Sequence, residues 1–155
     1  MYPNDHRYSV IRTTSQDPAF RELVALLDMD LAVRNGDSNA FFAQYNTLEH
    51  IQHVVMVAHG ERPVGCGAFK HFDSDSVEVK RMFTMPDHRR QGIGSTLLHE
   101  LEQWAMDLGQ VRCVLETGKN MNEAVALYGR RGYRLIPNYG PYIGVVDSLC
   151  FEKVL

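Results

Sequence analysis

The stretch Met82-Phe83-Thr84-Met85-Pro86-Asp87-His88-Arg89-Arg90-Gln91-Gly92-Ile93-Gly94-Ser95 runs a β-like segment into a basic, glycine-bearing turn that opens directly onto an amphipathic helix. At a helix start the first N–H groups have no intrahelical partner, and the macrodipole places partial positive charge there. Gly92 and Gly94 carry no Cβ, so phosphate groups can approach those N–H groups closely, and Arg89 and Arg90 add full charge at the same place. A Walker loop needs a Gly-Lys-Ser/Thr ending, and no lysine follows Gly94. A dinucleotide fingerprint needs a third glycine where Leu97 stands. What remains is Arg-x-x-Gly-x-Gly at a strand-to-helix junction.

Around this loop the elements order themselves. Tyr8 to Thr14 has the β-branched content of a first strand. Asp17 is an N-cap with Pro18 at the first helical position, and Phe20, Leu23, Val24, Leu27 and Leu31 recur at helical spacing as far as Arg34. Asn35-Gly36-Asp37-Ser38 ends that helix, and 39–49 holds a short second one. Ile51 to His59, Val64 to Phe72 and Ser76 to Thr84 read as an antiparallel meander joined by short turns. After the glycine loop, Leu97, Leu98, Leu101, Trp104, Ala105 and Leu108 form one apolar stripe, with His99, Glu100, Glu102, Gln103 and Asp107 opposite. Gly109 stops this helix, and Val111 to Thr117 is a strand, so the unit is β–α–β with a parallel pair. A helix over Asn122 to Arg131, a strand at Tyr133 to Ile136, an irregular loop from Asn138 to Val146 and a last strand from Asp147 to Val154 complete the order.

At 155 residues the chain is expected to form one domain, 1–155, able to bury about two-thirds of the surface its unfolded form exposes. A net charge of −3 gives no broad basic face for nucleic acid. Neither a signal-peptide core at Met1 to Arg7 nor a membrane-length apolar run is present, so the expectation is a cytoplasmic protein without a membrane partner. Cys66, Cys113 and Cys150 lie in apolar, strand-like contexts and read as reduced core residues. The seven histidines lack metal-ligand spacing, and no metal is expected.

The loop, its place after the fourth strand, and two downstream segments together resemble the GCN5-related N-acetyltransferase (GNAT) superfamily. The downstream segments are Leu115-Glu116-Thr117-Gly118 followed by Glu123-Ala124-Val125-Ala126-Leu127-Tyr128-Gly129-Arg130-Arg131-Gly132-Tyr133, and the closing Ser148-Leu149-Cys150-Phe151-Glu152-Lys153, preceded by Ile-Pro-Asn-Tyr-Gly-x-Tyr. The resemblance implies an α+β fold, layered α/β/α, whose mixed central sheet has a splayed parallel pair at strands four and five. It departs from many relatives at Met121, where they carry asparagine; Asn120 and Asn122 flank that position.

The same resemblance implies acetyl-coenzyme A as co-substrate and direct acetyl transfer to a primary amine, without a covalent intermediate. The N–H groups of Arg90 through Ser95 (Arg90, Gln91, Gly92, Ile93, Gly94, Ser95), with Arg89, would hold the pyrophosphate. Met82, Phe83 and Thr84 would run along the pantetheine arm, with Asn122 at its side. The N–H of Phe83 is the expected oxyanion donor. Tyr128 matches the general acid, suited to a leaving thiolate whose solution pKa is near 8.5. Glu78, fourteen residues before Gly92, matches the glutamate base of the histone-modifying branch and, by strict alternation, shares a face with Lys80, Met82 and Thr84. Glu116 and ordered water are the alternatives.

Asp28, Asp30, Arg34, Tyr45, Tyr139 and Tyr142 fall in the segments that cover the acceptor side of this fold. An acidic pair would attract an amine, and Arg34 would clamp a carboxylate. A small amine or amino-acid-like acceptor is favoured over a protein lysine or N-terminus, since the loop before the last strand is long enough to cover the site. The rival expectations are a coenzyme A-binding sensor module without turnover and a structural protein whose loop binds only incidental phosphate. Homodimerisation through the C-terminal strands, common among relatives, is left open.

Overall fold

The computed structural model describes residues 7–155; the stretch Met1 to His6, searched above for a signal-peptide core, lies outside them. The first elements are strand β1 (Tyr8–Thr13), helix α1 (Pro18–Asn35), the short helix α2 (Asn39–Ala43), and strands β2 (His53–His59), β3 (Arg62–Asp73) and β4 (Ser76–Thr84). Helix α3 (Ile93–Asp107), strand β5 (Arg112–Gly118), helix α4 (Asn122–Arg130), strand β6 (Arg134–Ile136) and strand β7 (Ser148–Val154) follow. The strands form one sheet in the order β1-β2-β3-β4-β5-β7-β6, antiparallel throughout except for β4 beside β5. This is the mixed α+β architecture expected, with helices on both faces.

Each helix is set by local chemistry. The Asp17 carboxylate accepts the N–H of Ala19 at 2.9 Å, Pro18 follows, and Gly36 at φ 53 ends α1. Phe20, Leu23, Val24 and Leu27 of α1 pack with Val54, Met56, Cys66, Ala68 and Phe83 on one face of the sheet. On the opposite face Leu97, Leu98, Leu101 and Ala105 of α3 meet Val55, Val57, Phe69, Val77 and Val79. The expected stripe on α3 is corrected at two positions. Leu108 caps the helix and is 48% exposed. Glu102, expected on the solvated face, is buried: its two oxygens accept Tyr133 Oη at 3.0 Å and Lys153 Nζ at 2.8 Å, so paired donors keep a carboxylate under the helix. The cysteines are free and buried.

Two irregularities of β4 shape the centre of the sheet. The β4–β5 pairing covers only Ser76, Val77 and Glu78 against Arg112, Cys113 and Val114, and beyond it the two strands diverge into a wedge. On the β3 side the register slips between Cys66 and Ala68, where Arg81 takes the left-handed conformation at φ 59. The extra residue is a β-bulge, and it inverts the alternation that follows. Glu78, Lys80, Met82 and Thr84 therefore do not share one face. Val77, Val79 and Met82 pack with the α3 layer, whereas Phe83 packs with α1.

Candidate active site

The glycine loop builds a cationic cradle. Arg90 at φ 65 and Gly92 at φ 81 are both left-handed, and Gly92 caps α3 without any side-chain hydrogen bond, so the first-turn N–H groups of the helix are uncapped. Arg89 donates Nε to the Thr84 carbonyl at 2.9 Å, and its guanidinium lies 5.8 Å from the centre of the Phe83 ring. Gln91 accepts the Tyr8 hydroxyl at 2.7 Å, and that hydroxyl also meets His88 Nδ1 at 3.0 Å, fastening the loop to β1. The cradle opens into a groove of about 510 Å³ lined by Met82, Phe83, Thr84, His88 to Arg90 and Gly92 to Ser95 on one side, by Met121, Glu123, Ala124, Leu127, Tyr128 and Arg130 of α4 and its approach on the other, and by Leu27 and Asp30 of α1.

The two glycines serve different purposes. Gly92 has open space where a Cβ would stand, and its requirement is conformational. A Cβ on Gly94 would lie 2.8 Å from Leu127 Cδ2, so this glycine, which also lines the groove, sets the approach of α3 to α4.

A second cavity of about 120 Å³ fills the wedge between β4 and β5, lined by Leu27, Leu31, Lys80, Arg81, Glu116, Tyr128 and Tyr142 among others. It meets the groove at Leu27, Met82, Met121, Ala124 and Tyr128, which line both. Burial pushes the Glu116 carboxyl up to about 7, against the opposing pull of the Ser148 hydroxyl it accepts at 2.8 Å and of Lys80. Burial also lowers the Lys80 ammonium, whose Nζ donates to the Tyr45 carbonyl at 2.8 Å. Tyr128 is buried against Tyr133 and Phe151, and desolvation, with the charge of Glu116, holds its hydroxyl above the ordinary tyrosine range.

Several expected site residues stand elsewhere. Glu78 is buried but lines neither cavity; it accepts the Tyr139 hydroxyl at 2.7 Å. Arg34 pairs with Glu123 and with Asp30, the latter at 3.3 Å, and so ties the end of α1 to the start of α4 instead of facing the wedge. Asp28 holds the buried guanidinium of Arg81. Asn122 is exposed at the start of α4 and lines neither cavity. The Met85 N–H bonds the Val64 carbonyl at 2.8 Å, and in an antiparallel ladder the inward-facing residues alternate. That alternation turns the polar groups of Phe83, the expected oxyanion donor, toward β3 and those of Met82 and Thr84 toward the wedge. In the sequence Lys80 stood out only as sharing a strand face with Glu78, and Arg81 not at all; both line the wedge, and the bulge that presents them has no pattern of its own in the chain.

Among the described residues, no helix is long and apolar enough to cross a membrane. No group of three or more His, Cys, Asp or Glu among them is gathered as metal ligands.

Residues 18–133 match the family model of the acetyltransferase (GNAT) family, and the chain belongs to that family. It is 39% identical to an IAA acetyltransferase of Azospirillum brasilense over 94 residues, which cover 59% of this chain and 61% of that protein. The N-acetyltransferase YsnE of Bacillus subtilis is 32% identical over 98 residues, 62% of this chain and 65% of its own. The chain thus spans less than two-thirds of the length of these curated relatives. Among solved structures, a Klebsiella pneumoniae protein described as an acyl-CoA N-acyltransferase superposes with a TM-score of 0.80 at 28% identity, over 97% of this chain and 99% of that one. An N-acetyltransferase of Thermoplasma acidophilum in complex with coenzyme A shares the fold, with a TM-score of 0.73 at 14% identity, over 96% and 99% of the two chains.

Proposed function

We propose that this chain is an acetyl-coenzyme A-dependent N-acetyltransferase acting on a small primary amine. The observation that carries the proposal is the meeting of two cavities at Met82 and Tyr128, one rimmed by the phosphate cradle and the other holding a carboxylate of raised pKa. The coenzyme's pyrophosphate rests on the N–H groups at the start of α3, with Arg89 and Arg90 beside it. Its pantetheine arm runs along the unpaired edge of Met82 to Thr84 and brings the thioester to the junction.

Glu116 serves as base. The acceptor enters as an ammonium of pKa near 10, and a carboxylate near 7 is better matched to its proton than an ordinary one while still largely able to ionise at neutral pH. The neutral amine nitrogen attacks the thioester carbonyl and the oxyanion that forms accepts the Met82 N–H; the C–S bond breaks as Tyr128 donates its proton to the departing sulfur, and the second proton of the attacking nitrogen, released as it becomes the amide, restores the Tyr128 hydroxyl. Because Tyr128 is a weaker acid than a free tyrosine, it stays protonated throughout the neutral range and always offers a donor. Glu78, held by Tyr139, supports the wall behind this site.

Thiol release from acetyl-coenzyme A with a panel of amines, beside calorimetric titration of the coenzyme, tests the proposal. Release dependent on one amine class supports it; tight coenzyme binding without release from any of them points to a sensor module, and no binding overturns it.

A further inference from the structure

The wedge holds more hydrogen-bond donors than it satisfies. Lys80 makes no ion pair among the described residues: its Nζ meets only the Tyr45 carbonyl, leaving two of three ammonium N–H groups uncommitted in a cavity it lines. Beside it stands Arg81, whose side chain is 1% exposed. One end of that guanidinium is taken by Asp28, but its buried Nε has no hydrogen-bond partner, and the residue lines the same cavity. A buried donor left without a partner, as Arg81 Nε is, is costly, the more so on a cation. Glu116, across the wedge on β5, supplies the only carboxylate among the residues lining it, and Glu78 nearby is engaged by Tyr139.

We infer that Lys80 and Arg81 form a carboxylate-binding subsite, and that the acceptor is a small amino carboxylate held by its acid group on β4 while its amine faces Glu116. Lys80, beside an Arg81 already paired with Asp28, disfavours a polyamine, whose second ammonium would meet the Lys80 charge. The volume, about 120 Å³, is close to that of engineered cavities of about 150 Å³ that hold one benzene, so it suits an acceptor of a few heavy atoms. The walls at Leu27, Leu31, Phe42 and Tyr142 leave room for a short apolar side chain. Arg34, the clamp expected from sequence, is committed to Glu123 and Asp30 and takes no part.

This inference rests on the transferase proposal, and the test separates them. Thiol release is measured with short α- and β-amino acids beside their carboxamides and their decarboxylated amines, in the wild type and in Lys80→Met, which keeps the length of the side chain. The readout is the ratio of kcat/KM for an amino acid to that for its carboxamide, since any change in Glu116 caused by losing the Lys80 charge affects both substrates and cancels. The wild type is expected to favour the acid, and Lys80→Met to reduce the ratio roughly 10- to 100-fold, the loss of one charge-assisted hydrogen bond. Thermal melting and coenzyme titration of the variant confirm that it folds. Preference of the wild type for carboxamides or plain amines, or an unchanged ratio in Lys80→Met, overturns the subsite while leaving the transferase standing. No thiol release with any amine from a protein that binds the coenzyme overturns both.

Discussion

The Tyr139 hydroxyl donates to Glu78 Oε2 at 2.7 Å, and this bond sets Glu78, the base first expected, apart from its alternative, Glu116. Glu78 is turned into the wall behind the wedge, beneath the loop before β7. Glu116 lines the cavity and has its pKa raised to about 7. If Glu116 is the base, kcat/KM in the wild type rises with pH through an apparent pKa near 7, because only the ionised carboxylate accepts a proton. Glu116→Gln is expected to lower kcat roughly 10²- to 10⁴-fold and to abolish that limb. Glu78→Gln, which loses the tie to Tyr139, is expected to raise KM for the amine and keep the limb. A pH profile for each variant decides it: an intact limb near 7 in Glu116→Gln returns the role to Glu78 or to water.

The same carboxyl links stability to pH with a definite sign. Its folded pKa, about 7, lies above the value of 4.5 it has when unperturbed. Between those values the folded chain keeps a proton that the unfolded chain has released, so stability falls as pH rises through the window and levels off above 7. The full effect is at most about 3 kcal/mol, and water entering the cavity reduces it. Denaturant unfolding of wild type and Glu116→Gln from pH 4 to 8 isolates it, since the shifts of other groups are common to both. The expected difference grows in favour of the variant toward pH 8; a difference that stays flat removes the buried-acid assignment.

Tyr128→Phe keeps the ring contacts with Tyr133 and Phe151, whose centres lie 5.8 Å and 6.1 Å away, and removes only the hydroxyl. The expected result is a roughly 100-fold loss in kcat with the coenzyme dissociation constant nearly unchanged. Because burial keeps this hydroxyl protonated above the ordinary tyrosine range, the wild-type profile should show no descending limb from it below about pH 10. Stopped-flow measurement of thiol release under single-turnover conditions separates this step from product departure. Normal turnover by the variant would move proton donation to water.

The strand and helix order was legible because each boundary has its own local chemistry: Asp17-Pro18 at the start of α1, Gly36 at its end, Gly109 after α3, and the two-residue turns of the meander. The glycine turn and its junction with α3 were legible for the same reason, being continuous in the chain. The wedge was not. Its shape depends on the bulge at Arg81, a non-glycine residue at φ 59 whose strain is held by contacts to α1 and β3, and nothing in Lys80-Arg81-Met82 announces it. One inserted residue reversed the faces of Met82 and Phe83, which is why Met82 replaces Phe83 as the oxyanion donor proposed above. Glu102 was misplaced by a related cause: its partners, Tyr133 and Lys153, lie 31 and 51 residues away, so helical periodicity saw only a charge.

Gly94 and Leu127 offer a test of how the cradle and the acid are held together. A Cβ on Gly94 would stand 2.8 Å from Leu127 Cδ2, well inside ordinary carbon contact of about 3.5 to 4.0 Å, and Leu127 immediately precedes Tyr128 on α4. Gly94→Ala therefore pushes α4 away from α3, widening the groove and displacing the Tyr128 hydroxyl from the sulfur position. The expected effect is a threefold to tenfold loss in coenzyme affinity and a comparable loss in kcat, since the clash falls on the end of a side chain that can partly yield. Leu127→Ala removes the obstructing methyls, so the double variant should recover most of the affinity lost in Gly94→Ala, with a coupling of about 1 kcal/mol in a double-mutant cycle. Gly92→Ala gives the contrast. No atom lies within 4 Å of its Cβ position, and its cost of about 1 kcal/mol comes from the left-handed backbone at φ 81, which Leu127→Ala cannot relieve. Calorimetric titration of acetyl-coenzyme A into the three single variants and the two doubles that pair each glycine change with Leu127→Ala reads both effects. Equal rescue of both glycine variants, or of neither, would sink the assignment of Gly94 to helix packing and return it to the phosphate path.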